Sequence, residues 1–445
     1  MNKQEKLVVL VAILASLVAF LDSSIVNVAL PAIKNQLGGG LATQQWIVDA
    51  YLLTLSSLIL IAGSLSDLFG RKRLLVWGLI GFGVTSLLCA IAPTSLSLII
   101  ARALQGLFGA LLVPSSLALI TASVSQENFS KSIGQWTAWT GIAFIIGPLL
   151  GGYLTDSFSW RLIFAVNILP IALTLYLVSK LQTENARPKQ ATIDIAGAAL
   201  CVLGLAGVVF ALIEQPHLGF GKPEVYITLI LGLILLAGFL WRENTAEQPM
   251  LSLNMFREQN FGMGNLATFF IYAGLSLVTF LIVIYLQQTV GYSALSSGLS
   301  LLPITIILFL LSPMAGKLSS KYGPRWFMGL GPIVGAIGIY LIGKSATPHL
   351  QYWKQLFPSI VIFGLGLAIT VAPLTAAILS AVDKSRSGIA SAINNAVSRI
   401  AGLLAIAIIG TVAYSFRLSM YLTAGLIAIG GIISILGITN KKTEL

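Results

Sequence analysis

Charge is scarce in this chain. Asp, Glu, Lys and Arg make up 9% of its 445 residues, whereas hydrophobic residues make up 57%. Typical soluble domains carry about 25% charged residues, so the composition excludes a single water-soluble fold. The surplus of apolar side chains predicts a protein embedded in a lipid bilayer.

Cysteine and histidine are also scarce, with two residues of each. Cys89 and Cys201 form no Cys-x-x-Cys pair, and His217 and His349 lie near predicted loops, so nothing in the sequence supports a disulfide, a zinc site or another metal centre. The phosphate-binding pattern GxxxxGK[ST] is absent, which argues against a built-in ATPase. No nucleophile, base and orienting group can be assembled, and we predict neither an enzyme nor a bound cofactor.

Fourteen apolar runs fill the chain, and each approaches the roughly 20 residues that cross a hydrocarbon core of about 30 Å. The first run is too long for a cleaved signal peptide and contains Asp22, so we expect it to be retained. The connections are short, which leaves no room for a soluble domain. The predicted spans lie near residues 7–33, 44–67, 74–93, 96–122, 133–155, 161–180, 193–214, 225–242, 261–288, 293–316, 325–344, 354–380, 388–413 and 416–438.

The net charge of +11 would suggest a nucleic-acid partner in a soluble protein, but the positions of the cations favour a membrane topology instead. If the N-terminus is cytoplasmic, eighteen of the 26 Lys and Arg residues fall at the termini or in cytoplasmic turns. The positive-inside rule then predicts that both termini are cytoplasmic. Arg102 and Arg399 lie within spans, and the outer side holds only Lys34, Arg161, Lys222, Lys344, Lys354 and Arg417.

An internal repeat divides the chain. GSLSDLFGRKR at 63–73 is echoed by GKLSSKYGPRW at 316–326, each after the second span of a six-span group. We therefore predict two six-helix bundles, residues 1–182 and 259–445, and a linker, residues 183–258, that carries spans 7 and 8. Repeated halves around a central site are typical of secondary transporters.

Six motifs, in order along essentially the whole chain, resemble those of the major facilitator superfamily and its fourteen-helix drug:proton antiporter branch. This resemblance implies an all-α membrane protein with the major-facilitator-type fold, which exports its substrate in exchange for protons. The motifs are LDSSIVNVALPAI (21–33), WIVDAYLL (46–53), GSLSDLFGRK (63–72), ARALQGLFGALLVP (101–114), GIAFIIGPLLGGYL (141–154) and WRLIFAVNILP (160–170).

Asp22, Asp49 and Arg102 are ionisable residues inside predicted spans, where charge is costly and usually functional. Counting about 1.5 Å per residue places all three at a similar height in the N-terminal half. A carboxylate whose partner changes between two conformations can load and release a proton, so we predict that these residues couple transport to protons, with Asp22 as the first candidate. A structural ion pair is the alternative for Asp22, and cation binding at the outer mouth is the alternative for Asp49.

Asp67 lies at the C-terminal end of span 2, where the helix dipole disfavours an anion. Arg71, one turn later, is a local partner for it. The resemblance implies that Gly63, Asp67, Gly70 and Arg71 form a latch, docked against the other half when the cytoplasmic side is closed. Ser320 replaces Asp67 in the second copy, so only one half carries the latch. The alternative is that the basic turn acts only as a topology signal.

Span 5 contains the motif that in this superfamily is similar to the signature of exporters: Gly141, Gly147, Pro148, Gly151 and Gly152. Proline removes one intrahelical hydrogen bond, and small residues let helices approach and slide. We predict a bend and a close packing face on this helix. Ordinary helix packing is the alternative.

Aromatic and polar side chains within the spans are candidates for a substrate cavity, because ring faces attract cations. Packing in the core or against lipid is the alternative for the rings. Asp383, in a turn, is the only acidic residue between residues 261 and 438, so we do not expect a preference for dications. The candidates are Trp46, Gln105, Trp136, Trp139, Asn394 and Arg399.

The sequence therefore predicts a proton-coupled exporter of amphipathic small molecules, in the manner of multidrug efflux, that works by alternating access. We expect a functional monomer in a bacterial-type cytoplasmic membrane, with protons as the coupling ion and no nucleic-acid partner. One alternative keeps the fold and exports an endogenous metabolite, siderophore or lipid-like product. A second alternative is a structural or sensing membrane protein without transport activity.

Overall fold

A computed structural model of the chain describes residues 1–182, 194–246, 249–383, 386–412 and 415–440, except the side chains of residues 63, 64, 67, 130, 387 and 412. The first helices are α1 (Lys3–Leu37), α2 (Leu41–Phe69), α3 (Arg71–Ile91), α4 (Ser95–Ser123), α5 (Gln126–Ser157), α6 (Leu162–Ala165) and α7 (Ile168–Ser179). They are followed by α8 (Ile195–Leu218), α9 (Pro223–Thr245), α10 (Gln259–Gln288), α11 (Ala294–Tyr322), α12 (Arg325–Lys344), α13 (Phe357–Ser380), α14 (Ser387–Val412) and α15 (Phe416–Gly437).

Fourteen of the described helical segments are long and apolar enough to cross a membrane, which confirms the predicted number of spans. Some helices extend well beyond their apolar runs. α1 begins at Lys3 because Asn2 and Glu5 form a capping box, in which each side chain accepts a hydrogen bond from the other's backbone amide. Hydropathy therefore located the spans, and a polar cap set the start of α1.

The predicted span at residues 161–180 corresponds to the described segment Leu162–Ser179, which consists of two helices and not of one. α6 ends at Ala165 and α7 begins at Ile168, so Asn167 lies between two helices. Pro170 accounts for the break, because proline has no N–H group to donate to the carbonyl of Val166. The interruption lies beside the buried charges described below.

Two compact units divide the helices. The first contains residues 1–206 and 293–295, and the second contains residues 207–292 and 296–445. Residues 293–295 are held in the first unit by Asp156, whose carboxylate accepts hydrogen bonds from the amides of Ala294 and Leu295 at 3.0 and 2.8 Å. The boundary at residues 206 and 207 falls within α8, and the predicted division at residues 182 and 258 stays a prediction.

In the first unit, α1 occupies the interior and packs against α4, α5 and α7. Its buried residues are spread around the helix, as expected for a helix enclosed by protein. A charged side chain in the middle of α1 must therefore find its partners among protein groups.

In the second unit, α12 packs against α13 and α15, and α10 packs against α14 and α15. Glycine allows the closest of these approaches. A Cβ atom at Gly366 of α13 would collide with the backbone of Gly335 of α12. This is the small-residue packing that membrane helices commonly use.

The two copies of the turn motif each contain a glycine with positive φ at the same aligned position. Gly70 has φ of +88° and Gly323 has φ of +89°, in the left-handed region that favours glycine. The internal repeat seen in the sequence thus includes a glycine with nearly the same φ in each copy.

The aligned cations of the two turns also make equivalent contacts, each within its own unit. Lys72 Nζ donates to the carbonyl of Leu181 at 2.7 Å, just after α7, and Arg325 Nε donates to the carbonyl of Ile435 at 2.6 Å, near the end of α15. Cations are favourable at the carbonyl ends of helices. The basic turns therefore stabilise α7 and α15.

Candidate functional site

Asp22 and Arg102 form an ion pair in the interior of the first unit. Arg102 Nη1 lies 2.6 Å from Asp22 Oδ2, and the two residues are 1% and 0% exposed. Asp22 lies on the enclosed helix α1. Arg102 lies two turns into α4, where a capping box between Thr94 and Ser97 sets the start of the helix. Since a buried ion pair is favourable only when further hydrogen bonds complete it, the neighbouring side chains decide its properties.

Two amides and a hydroxyl complete the hydrogen bonding. Gln105 Nε2 and Asn167 Nδ2 donate to Asp22 Oδ1 at 2.9 and 3.0 Å. Ser86 Oγ accepts from the same two nitrogens, at 3.2 and 3.0 Å, and all three residues are fully buried. We call Asp22, Ser86, Arg102, Gln105 and Asn167 the Asp22 network.

Arg102 has partners other than Asp22. Its Nε donates to the carbonyl of Ile47 at 3.1 Å, and its Nη1 donates to Gln105 Oε1 at 2.7 Å. Its Cζ lies 4.1 Å from the centroid of the Tyr51 ring, within the range of a cation–π attraction. The guanidinium therefore keeps three partners if the charge on Asp22 is lost.

The geometry around Asp22 is that of an ionised carboxylate. Oδ1 accepts from two amides and Oδ2 accepts from the guanidinium, so every contact comes from a donor. Breaking a buried pair of this kind leaves an uncompensated charge, at a cost of about 3–5 kcal/mol. The network thus links the charge on Asp22 to the packing of α1, α3, α4 and the break between α6 and α7.

Asp49 does not join this network. It is fully buried on α2, and neither carboxyl oxygen has a hydrogen-bond partner among the described residues. Ile47 and Tyr51, which contact Arg102, each lie two residues away, or about 200° around the helix. Asp49 therefore faces away from Arg102. Of the three residues predicted to couple protons, the structure brings only Asp22 and Arg102 together.

The candidate cavity residues of the first unit lie in different environments. Trp136 Nε1 donates to Ser16 Oγ at 3.0 Å and its ring packs edge-on against a phenylalanine of α1, so this side chain ties α5 to α1. Trp139 is 55% exposed, and Trp46 is half-buried near the start of α2. Gln105 belongs to the Asp22 network and has no exposed surface.

Asn394 and Arg399 lie on α14 in the second unit. Asn394 Nδ2 donates to Asn265 Oδ1 at 3.1 Å and to Thr268 Oγ1 at 2.9 Å, both on α10. These bonds occupy both N–H groups of the amide, so Asn394 joins α14 to α10. Arg399 is half-buried on the same helix.

The glycines of α5 differ in what they face. A Cβ atom at Gly151 would lie 2.6 Å from Ile25 Cγ1 and 3.0 Å from the carbonyl oxygen of Ile25, and one at Gly147 would collide with Ser24. A Cβ at Gly152 would meet the backbone of Leu295 within the same unit, at 2.5 Å from its Cα. The first two glycines, which flank Pro148, therefore allow α5 to lie directly on α1.

The predicted latch residues cluster around the turn between α2 and α3. Gly63 and Asp67 lie within α2, but their side chains fall outside the described part of the chain. Gly70 is the residue with positive φ that ends α2, and Arg71 begins α3. The backbone geometry of the turn is thus described, and the contact predicted for Asp67 stays a prediction.

Ser86 and Asn167 were not among the predicted site residues, although each is a polar residue within an apolar run. Polar groups inside spans are often functional, but hydroxyl side chains also bond back to their own helix. Thr85 does so, donating to the carbonyl of Gly81 at 2.7 Å, whereas the adjacent Ser86 reaches the carbonyl of Phe164 at 3.0 Å. Sequence alone does not distinguish these two cases.

Comparisons with known proteins agree with this architecture. The family model described as Major Facilitator Superfamily matches residues 12–309 and 264–445. The multidrug resistance protein Stp of Mycobacterium tuberculosis is 32% identical over 425 residues, which cover 93% of this chain and 76% of that protein. The tetracenomycin C resistance and export protein of Streptomyces glaucescens is 32% identical over 400 residues, covering 88% and 72%.

Solved structures share the fold at low sequence identity. A D-xylose–proton symporter superposes with a TM-score of 0.71 at 15% identity, covering 99% of each chain. The crystal structure of a peptide transporter, POT, in complex with sulfate gives a TM-score of 0.71 at 16% identity, covering 98% of this chain and 94% of that one. At such identity the likeness concerns the fold alone.

Proposed function

The chain belongs to the Major Facilitator Superfamily and is a multi-pass membrane transporter, and we propose that it exports amphipathic small molecules in exchange for protons by alternating access. The outward direction is supported by the resistance and export proteins to which the chain is similar over most of its length. The glycine-proline motif of α5 supports the same direction.

The observation that carries the coupling proposal is the Asp22 network. A fully buried carboxylate on the interior helix α1 is held by three donors from other elements. Movement of any of these elements changes its partners, and a carboxylate that changes partners changes its affinity for protons. Asp49, buried without a hydrogen-bond partner among the described residues, is the second candidate for carrying a proton.

We propose the remaining features on the same basis. Both termini are cytoplasmic, in a bacterial-type cytoplasmic membrane, because most Lys and Arg residues of the short loops fall on that side. Residues 1–182 and 259–445 act as the two bundles of a functional monomer. The substrate is not a dication, because the second half offers almost no carboxylates to balance two positive charges, and monocationic, neutral and anionic amphiphiles all stay open.

The substrate class can be tested by drug susceptibility in a bacterial host that lacks its own efflux pumps. We expect expression of the chain to raise resistance to at least one amphiphile that is not a dication. The first compounds are puromycin, methylenomycin A and tetracenomycin C, which appear in the names of resistance proteins similar to this chain. A dicationic biocide should give no increase. The Asp22→Asn variant, expressed to the same level, is the inactive control. No resistance to any compound would favour the export of an endogenous product.

The latch is tested by a matched pair of variants in the two turns. We expect Asp67→Asn to lower export several-fold while expression and substrate binding stay close to wild type, because the change affects the balance between conformations. Ser320→Ala, at the corresponding position, should be mild, since Ser320 is exposed and donates to the carbonyl of Gly316 of its own helix at 3.0 Å. Export and binding are measured on membranes with matched protein content. Equal losses of export in the two variants would contradict a latch that is present in only one of the two turns.

A further inference from the structure

In the side-chain amide of Asn167, the nitrogen is hydrogen-bonded and the oxygen is not, within the described part of the chain. Its Nδ2 donates to Asp22 Oδ1 and to Ser86 Oγ, each at 3.0 Å. Its Oδ1 is buried and has no hydrogen-bond partner within the described part of the structure. Buried polar atoms are nearly always paired, and each exception calls for an explanation. The unpaired atom belongs to the same amide that contacts the candidate proton carrier.

A protonated Asp22 would need an acceptor that the present arrangement does not offer. An ionised carboxylate only accepts hydrogen bonds, whereas a carboxylic acid must also donate one. Arg102 has no acceptor atom, and Gln105 Oε1 already accepts from Arg102 Nη1 at 2.7 Å. Asn167 Oδ1 therefore belongs to a side chain that contacts Asp22 and is an acceptor without a hydrogen bond among the described residues.

A half-turn of the Asn167 amide exchanges the positions of its nitrogen and oxygen without moving the backbone. The amide would then present Oδ1 to Asp22 and to Ser86. Ser86 can follow this change, because its hydroxyl rotates freely and can donate to Asn167 in place of the carbonyl of Phe164, which it reaches now at 3.0 Å.

We propose that Asn167 is a positioning residue that serves Asp22 in both protonation states, donating from Nδ2 to the carboxylate and accepting at Oδ1 from the carboxylic acid. This inference rests on the proposed role of Asp22 in proton coupling. The proton comes from solution and binds to a carboxylate oxygen of Asp22, and only the amide and the hydroxyl of Ser86 reorient.

The charged and titratable groups around Asp22 are few. α4 contributes Arg102, which contacts Asp22 directly. Tyr51 of α2 lies against Arg102, and Cys89 of α3 reaches the network through Gln105 Oε1 at 3.5 Å. α5 carries its charged residues near its two ends, and α6 and α7 carry none. Asn167 is thus a neighbour of Asp22 whose oxygen breaks no hydrogen bond to a described residue when the amide changes from donor to acceptor.

The test is infrared difference spectroscopy of the purified full-length protein as the pH is varied. The Asp22→Asn variant identifies the carbonyl band of protonated Asp22. In Asn167→Leu, which has the shape of asparagine without its polar atoms, this band should move because the acid has lost its acceptor. The pH midpoint of the band should also rise, by an amount that corresponds to a proton affinity about five to ten times higher. The reason is that the variant loses a stronger hydrogen bond when Asp22 is a carboxylate than when Asp22 is a carboxylic acid.

Asn167→Asp gives a second, isosteric variant should the leucine variant fold poorly. It keeps an acceptor for the acid but places a second carboxyl beside Asp22, so proton affinity should rise by at least about a hundredfold. Asn394→Leu is the matched control, since it removes a hydrogen-bonded amide of the other unit and should leave the Asp22 band in place.

An unchanged Asp22 band position and midpoint in both Asn167 variants would overturn the inference while leaving Asp22 as the proton carrier. A shift of the same size in Asn394→Leu would also overturn it, because the effect would then be one of general stability. If Asp22 gives no titrating band in the folded wild-type protein, both this inference and the coupling role of Asp22 fail.

Discussion

Asp22→Asn is expected to abolish export driven by a pH gradient, because a carboxamide does not titrate in the working range. The structure adds a second consequence. Three donors converge on Asp22, from Arg102, Gln105 and Asn167, so the amide group would direct its own N–H groups at one of them. We therefore expect lower thermal stability as well, and Asp22→Glu, which keeps the charge, should retain part of both properties.

The measurement is substrate flux into or out of proteoliposomes, with and without an imposed pH gradient, after each variant has been shown to insert and to remain folded. Downhill exchange without a gradient is the internal comparison, and we expect it to survive at a reduced level in Asp22→Asn. Full gradient-driven export by this variant would remove Asp22 from the mechanism and move the proton site to Asp49 or Asp67.

Arg102 variants test the same pair from the other side. Arg102→Ala should also fail in gradient-driven export, because the charge that stabilises the ionised carboxylate is gone and Asp22 releases its proton poorly. Arg102→Lys keeps the positive charge but removes the planar guanidinium, so it tests whether charge alone is sufficient. Arg102 donates from two different nitrogens, to the carbonyl of Ile47 and to Asp22, and a single ammonium cannot reproduce this geometry. We expect Arg102→Lys to retain little activity, and wild-type flux would show that charge alone is sufficient.

The second large effect is expected on α5. Gly151→Ala should destabilise the protein by about 1–3 kcal/mol, because the new methyl group would press against both the side chain and the carbonyl oxygen of Ile25. Gly147→Ala should behave similarly through its collision with Ser24. Both variants should lower the melting temperature by several degrees and reduce export, since α1 carries Asp22 three residues before Ile25.

Gly141→Ala is the matched control on the same helix and in the same motif. A Cβ at Gly141 meets no heavy atom within 4 Å, so this variant should keep the melting temperature and the export rate of the wild type. Thermal unfolding of the detergent-purified variants and drug export in cells provide the two measurements. Similar losses in all three variants would show that the motif acts through helix flexibility and not through contact with α1.

Most of the membrane topology was predictable, because nearly every residue of a span in lipid has to be apolar. A run of about twenty apolar residues is rarely found in any other structure than a membrane-spanning helix, and the fourteen predicted spans correspond to fourteen described segments. Helix caps depend on a few polar residues outside these apolar runs, so the start of α1 at Lys3 was not predicted. The break at Asn167 was missed because its proline lies three residues further on, inside an otherwise apolar run.

The candidate site was predictable only in part. Asp22 and Arg102 were recognised because charge inside an apolar span is rare, and the structure places them 2.6 Å apart. The same argument selected Asp49, which faces the other side of α2. The depth of a residue in the membrane can be estimated by counting residues along its helix. The direction in which its side chain points depends on how the helix is rotated about its axis, and this rotation depends on the neighbouring helices.

The amino-acid sequence was enough to identify a fourteen-span membrane protein and to predict two related halves, because hydropathy, charge asymmetry and a repeated turn are local properties of the chain. Which polar groups meet depends on the packing of the helices. Gln105 and Asn167 donate to Asp22, and Ser86 accepts from both of these amides. Gly147 and Gly151 set how closely α5 lies on α1. Such contacts join residues up to 145 positions apart, and their energies depend on distances and directions that only the packed helices define.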